Sequence, residues 1–114
     1  MIQTKEQVRV IFEENAQGAV KMDLAMLSDF EGVGEKLGMY AHARLKPGEE
    51  VGFHMHYNEA EIYYILSGKA LYDDNGTKIE IETGAVTHTP AGSGHGITNI
   101  GEEMLEFMAL EIKN

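Results

Sequence analysis

Between Gly48 and Gly68 the chain reads GEEVGFHMHYNEAEIYYILSG, and the two-residue alternation inside this stretch restricts the fold more than any other feature. Successive side chains of a strand point to opposite faces, so His54 and His56 share one, with Cα atoms about 6.6 Å apart. That separation lets both imidazoles reach one metal ion. Phe53, Met55 and Tyr57 take the other face, where large apolar groups are expected to enter a core. The run Ile62 to Leu66 is β-branched and aromatic and stops at Ser67-Gly68, which predicts a second strand. Its alternation groups Glu61, Tyr63 and Ile65 against Ile62, Tyr64 and Leu66. A His-x-His pair by itself leaves two readings open: a metal site, or two half-buried imidazoles satisfied by backbone carbonyls. Further ligands decide between them.

The rest of the chain is cut into short apolar runs by turn residues. Val8, Val10 and Phe12 suggest a strand, although Thr4 with Gln7 also has the spacing of a helix-capping box. Asn15 to Gly18 reads as a turn, and Met22, Leu24 and Met26 as one face of a second strand. Met22, Met26, Met39 and Met55 are expected on strands as adaptable core filler. The segment Asp29 to Gly38 is a glycine-bearing loop. Residues 39–45 split into Met39, Ala41, Ala43 and Leu45, expected inward, and Tyr40, His42 and Arg44, expected outward, which sets His42 aside as a ligand. Lys46-Pro47-Gly48 is a turn.

After Gly68 a strand from Lys69 runs to Asp73-Asp74-Asn75-Gly76, and Asn-Gly between two β-rich runs is a strong hairpin signal. Thr77, Ile79 and Ile81 alternate with Lys78, Glu80 and Glu82 in the returning strand. Val86 to Thr89 leads to Pro90 and a glycine-rich corner that delivers His95 to the start of a strand, Ile97 to Ile100. Met104 to Ile112 forms the last. Eight to ten short strands without a convincing long helix predict an all-β closed barrel or jelly roll.

At 114 residues the chain suits one domain, 1–114. Its net charge of −10 argues against nucleic acid as a partner, and scattered acidic residues serve first as a solvated surface. No apolar run approaches a membrane span, and the N-terminus lacks a signal-type core. The absence of cysteine removes disulfides and thiolate ligands, and the cytoplasm is the expected location.

The spacing now resembles a known family. Gly48, His54-x-His56, Glu61 and Gly68 stand at the intervals of the first motif of the cupins, and Gly84, Pro90-x-Gly92, His95 and Asn99 at those of the second. The 15 residues Lys69 to Thr83 between them fit the short end of the family's range. The resemblance implies a cupin-type double-stranded β-helix, or jelly-roll barrel, with a metal held by His54, His56, Glu61 and His95. Three neutral imidazoles and a carboxylate suit one divalent transition metal: Mn, Fe, Co, Ni or Zn. Four protein ligands on an ion that prefers six leave positions for a small-molecule substrate.

The same resemblance implies a metal-dependent enzyme acting on a small oxygen-rich metabolite, by oxalate-decarboxylase-like, dioxygenase-like or sugar-isomerase-like chemistry. The alternative is a non-catalytic metal or small-molecule binding or sensor module. No catalytic acid or base is identifiable, and Tyr63 and His88 are the weak candidates. Tyr63 is expected to fill the barrel, while His88 lines the pocket or a dimer contact. Gly92 and Asn99 are expected to be structural. Phe53, Ile65, Ile97, Met104 and Phe107 are assigned to core or pocket wall. Small cupins resemble one another in forming homodimers, often by exchanging N-terminal strands, so residues 1–31 are read as N-terminal strands and a dimerisation arm.

Overall fold

A computed structural model describes residues 1–15 and 18–114; of the side chains from 13 to 19 nothing is inferred. The turn expected at Asn15 to Gly18 therefore lies in part outside the described residues. Ten strands follow one another: β1 (Arg9–Asn15), β2 (Gly18–Leu24), β3 (Leu37–Leu45), β4 (Glu50–His56), β5 (Glu59–Ser67), β6 (Lys69–Asp74), β7 (Thr77–Glu82), β8 (Val86–Thr89), β9 (Ser93–Asn99) and β10 (Leu105–Lys113). All pairings are antiparallel, in the order β7-β6-β9-β4-β2-β3-β10-β5-β8, with β1 paired to β2 alone. The only helical element among the described residues is a 3-10 turn, Leu27–Asp29. No helix there is long and apolar enough to cross a membrane.

Both alternatives for the N-terminus contribute. Thr4 N donates to Gln7 Oε1, one half of a capping box, while Gln7 N donates to the Thr4 backbone carbonyl, and these bonds close only a turn before β1 begins. Strand β2 sits between β3 and β4 of its own chain and buries Val20 and Met22. Met26 lies beyond β2, at the entry to the 3-10 turn.

The core follows strand parity. Ala41, Ala43 and Leu45 on β3, Ile65 on β5, Tyr72 on β6, Ile97 on β9, and Leu105, Phe107 and Ala109 on β10 are buried. His42 and Arg44 face outward as expected, His42 beside Glu106 and Arg44 donating two 2.9 Å bonds to Asp23. At the hairpin tip Asn75 has φ of 50° and Gly76 of 103°. Asn75 also docks this tip on β9, exchanging bonds with Gly94 through its N–H and its Oδ1. Gly68, at φ of 98°, is held by its neighbours as well as its turn: a Cβ there would stand 3.1 Å from Leu105 Cα.

The face carrying Phe53, Met55 and Tyr57 is the outer one, contrary to the sequence expectation, and these residues are 45%, 38% and 71% exposed. Alternation separates two faces but does not say which one is inside. Here the histidine face lines the barrel, and Phe53 and Met55 lie across the glycines of β9 on its exterior. A Cβ on Gly94 would collide with the Phe53 ring and the Met55 sulfur. Met104 is likewise exposed, whereas Ile65, Ile97 and Phe107 are core. Met55 fills no core for the same reason, and Met26, past the end of β2, also stands at the surface.

Candidate metal centre and its cavity

Strands β4, β5 and β9 bring His54, His56, Glu61 and His95 together, with one ligand atom from each lying within 4.8 Å of the others. Register accounts for this. His54 is the cross-strand partner of His95, so the two rings leave the sheet on the same face. His95 sits within β9, two residues into the strand and not at its start as the sequence suggested. The pairing shifts between Val51 and His54, where β4 carries one residue more than β9. This bulge at Gly52-Phe53 turns both Val51 and His54 inward although they are three apart.

The donor atoms face one another closely. His56 Nε2 lies 3.1 Å from His54 Nε2 and 3.0 Å from His95 Nε2. Glu61 Oε1 lies 3.1 Å from His56 Nε2 and 2.8 Å from His95 Nε2. His54 Nδ1 donates to the Gly52 carbonyl at 2.8 Å, so its Nε2 presents a lone pair. His95 Nδ1 contacts Tyr72 Oη at 2.8 Å and Thr89 Oγ1 at 2.9 Å. The nearest carboxylate oxygen to His56 Nδ1 is Glu59 Oε1, 3.9 Å away. Burial holds His56 below its ordinary pKa against the pull of Glu61, which favours the neutral ring that ligation needs. With His56 and His95 in the tautomer ligation needs, these atoms turn lone pairs on one another, an arrangement that a cation satisfies. Ligands about 2.1 Å from one ion and at right angles stand about 3.0 Å apart, close to the separations found here. The residues fit a divalent metal ion.

A cavity of about 160 Å³ opens beside the cluster, lined by His54, Glu61, Tyr63 and Glu111 and walled by apolar side chains that include Val20, Met22 and Phe107. Tyr63 is 4% exposed, with its hydroxyl 3.4 Å from His95 Nε2. Burial, then the charge of Glu61, pushes that hydroxyl well above its ordinary range, so it stays protonated. His88 is on the exposed face of β8 and does not reach the cavity. Asn99 is structural as expected: its amide donates to the carbonyls of Leu45 and Glu103.

Glu111 is the site residue that motif spacing misses. Burial, a hydrogen bond shared with Glu59, and the charges of Glu61 and Glu59 raise its carboxyl from 4.5 to about 8. Gly38 makes room for the pair, since a Cβ there would stand 2.5 Å from Glu59 Oε2 and 3.1 Å from Glu111 Oε2. Parity along β10 was the available signal, because Glu111 continues the inward row of Leu105, Phe107 and Ala109.

Known proteins resemble this chain in sequence and fold. The sequence model of one protein family, described as the cupin domain, matches residues 41–112. An oxalate-binding protein of Thermotoga maritima is 40% identical over 95 residues, covering 83% of this chain and 78% of that protein. An uncharacterised protein of Methanocaldococcus jannaschii is 32% identical over 91 residues, covering 80% and 70% of the two chains. Among solved structures, a predicted oxalate decarboxylase from Thermotoga maritima superposes over 100% of both chains with a TM-score of 0.88 at 33% identity.

Proposed function

The chain belongs to the cupin family, and from that premise we propose that it is a metal-dependent enzyme acting on a small carboxylate. His54, His56, Glu61 and His95 are its metal ligands, and the observation that carries the reading is their convergence, imidazole lone pairs and one carboxylate, at the edge of a cavity. A divalent ion of the Mn, Fe, Co, Ni or Zn group, when bound there, supplies Lewis acidity or redox capacity and open positions for substrate oxygens. Manganese or iron suits decarboxylase or dioxygenase chemistry.

The remaining tasks fall to the chain. His54 and His95 are oriented through their Nδ1 atoms by Gly52 O and by Tyr72 and Thr89. Tyr63 closes one wall and keeps its proton. Glu111 places a second carboxyl on the cavity wall, the acid a decarboxylase requires to hold and return a proton. The outer faces of β5, β8 and β10 carry Tyr64, Leu66, Val86 and Ile112 in exposed positions, and this apolar surface suits pairing with a second copy.

A non-catalytic binding protein is the second reading, favoured by the oxalate-binding relative. Carbon dioxide release and dioxygen uptake, measured with the manganese- and iron-loaded protein on oxalate and short 2-oxo acids, separate the two. Turnover that Glu111→Gln abolishes while metal content stays intact supports the enzyme. Tight ligand binding without turnover in either metal form selects the binding protein.

A further inference from the structure

We propose, resting on the carboxylate-site reading above, that the cavity takes a monoanionic 2-oxo- or 2-hydroxycarboxylate with a short apolar tail in preference to a dianion such as oxalate. An apolar cavity of about 150 Å³ holds a benzene-sized ligand, and the one beside the cluster measures about 160 Å³. Oxalate and pyruvate have the same number of non-hydrogen atoms, so volume does not choose between them. The lining does.

Val20 and Met22 from β2, Met39 from β3, Val51 from β4 and Phe107 from β10 form the wall. Among the described residues no lysine, arginine, amide or aliphatic hydroxyl side chain lines it. The one hydroxyl, that of Tyr63, is buried beside the cluster, 3.4 Å from His95 Nε2. Glu111 adds a second carboxyl from the same wall, and its partner Glu59 stands behind it. An oxalate that chelates at the cluster turns its two outer oxygens onto this surface, where they lose water and the one proton on offer, that of Glu111, is already shared with Glu59. Any ionised carboxylate of the Glu59–Glu111 pair opposes the second charge. A 2-oxo acid directs its carboxylate and adjoining oxygen at the cluster and rests a methyl or ethyl group on Val20, Met22 and Phe107. Strand β2, outside both sequence motifs, thereby sets specificity.

The test is calorimetric titration of the manganese-loaded protein with oxalate, pyruvate and 2-oxobutanoate, each affinity referred to that acid's affinity for free manganese. The expected result is a larger protein-dependent gain for both 2-oxo acids than for oxalate. 2-Oxobutanoate should bind about fourfold tighter than pyruvate, the worth of one buried methylene. Val20→Thr keeps the side-chain shape and should erase most of that fourfold step without weakening oxalate. Equal or weaker binding of 2-oxobutanoate, or a Val20→Thr effect that falls on all three acids alike, overturns the proposal. Failure to take up manganese, or to bind any of the three acids, overturns the functional reading and this proposal with it.

Discussion

Removing the Tyr72 hydroxyl probes how the metal cluster is oriented without touching a ligand. For His95 to present an Nε2 lone pair, its Nδ1 must carry the proton and donate it outward. Tyr72 Oη at 2.8 Å and Thr89 Oγ1 at 2.9 Å are the acceptors, and the two hydroxyls lie 3.0 Å from each other. His95 is 0% exposed, so no solvent replaces a lost acceptor. Loss of such an outer partner weakens metal binding by about 10- to 100-fold. Tyr72→Phe keeps the ring and leaves Thr89 in place, which puts it at the low end, about tenfold. Tyr72→Phe with Thr89→Val strands the Nδ1 proton and should reach about 100-fold, near 2.7 kcal/mol. Competition against a chelating fluorophore reads these constants, with circular dichroism to establish the fold. A folded double variant that binds metal within twofold of the parent refutes the orienting role.

Further outcomes follow from the same geometry. Because the Glu111 carboxyl is raised from 4.5 to about 8, it costs the metal-free fold stability above pH 4.5, and the cost grows until about pH 8. Glu111→Gln should therefore stabilise metal-free protein at pH 7.5 by roughly 1–3 kcal/mol after allowance for solvent screening, read as a higher thermal midpoint, and not at pH 4. Asn99, 1% exposed, bonds Leu45, Glu103 and Gly101 at 2.9, 2.8 and 2.9 Å, so Asn99→Ala should lose about 2–4 kcal/mol in urea unfolding. If the outer apolar face pairs two copies, Tyr64→Glu should sediment as a monomer where the parent is a dimer; an unchanged mass would place the contact elsewhere.

Spacing alone made the turns and the cluster legible, because both depend on local chemistry. The glycines at 48, 68, 84 and 92 all adopt positive φ, and Asn75-Gly76 forms its hairpin, as residues tolerant of that backbone should. Sidedness was not legible. The run from Phe53 to Tyr57 looked core-forming because it is the more apolar face, yet a barrel that encloses polar ligands turns the aromatic face outward. The bulge at Gly52-Phe53 was hidden too, since one added residue alters register without altering composition. Glu111 was concealed by the opposite bias: parity placed it inside, but a lone glutamate near a strand end reads as solvent-facing. Only its meeting with Glu59 and Glu61, across two strands, gives it a part in the site.

Elemental analysis of protein purified without chelator, set beside His56→Ala, tests the central claim most directly. One equivalent of a divalent transition metal per chain, lost from a folded His56→Ala, is the result this account predicts. Folded parent protein that takes up no such metal even when supplied with it, or a His56→Ala variant that retains the full equivalent, would contradict it.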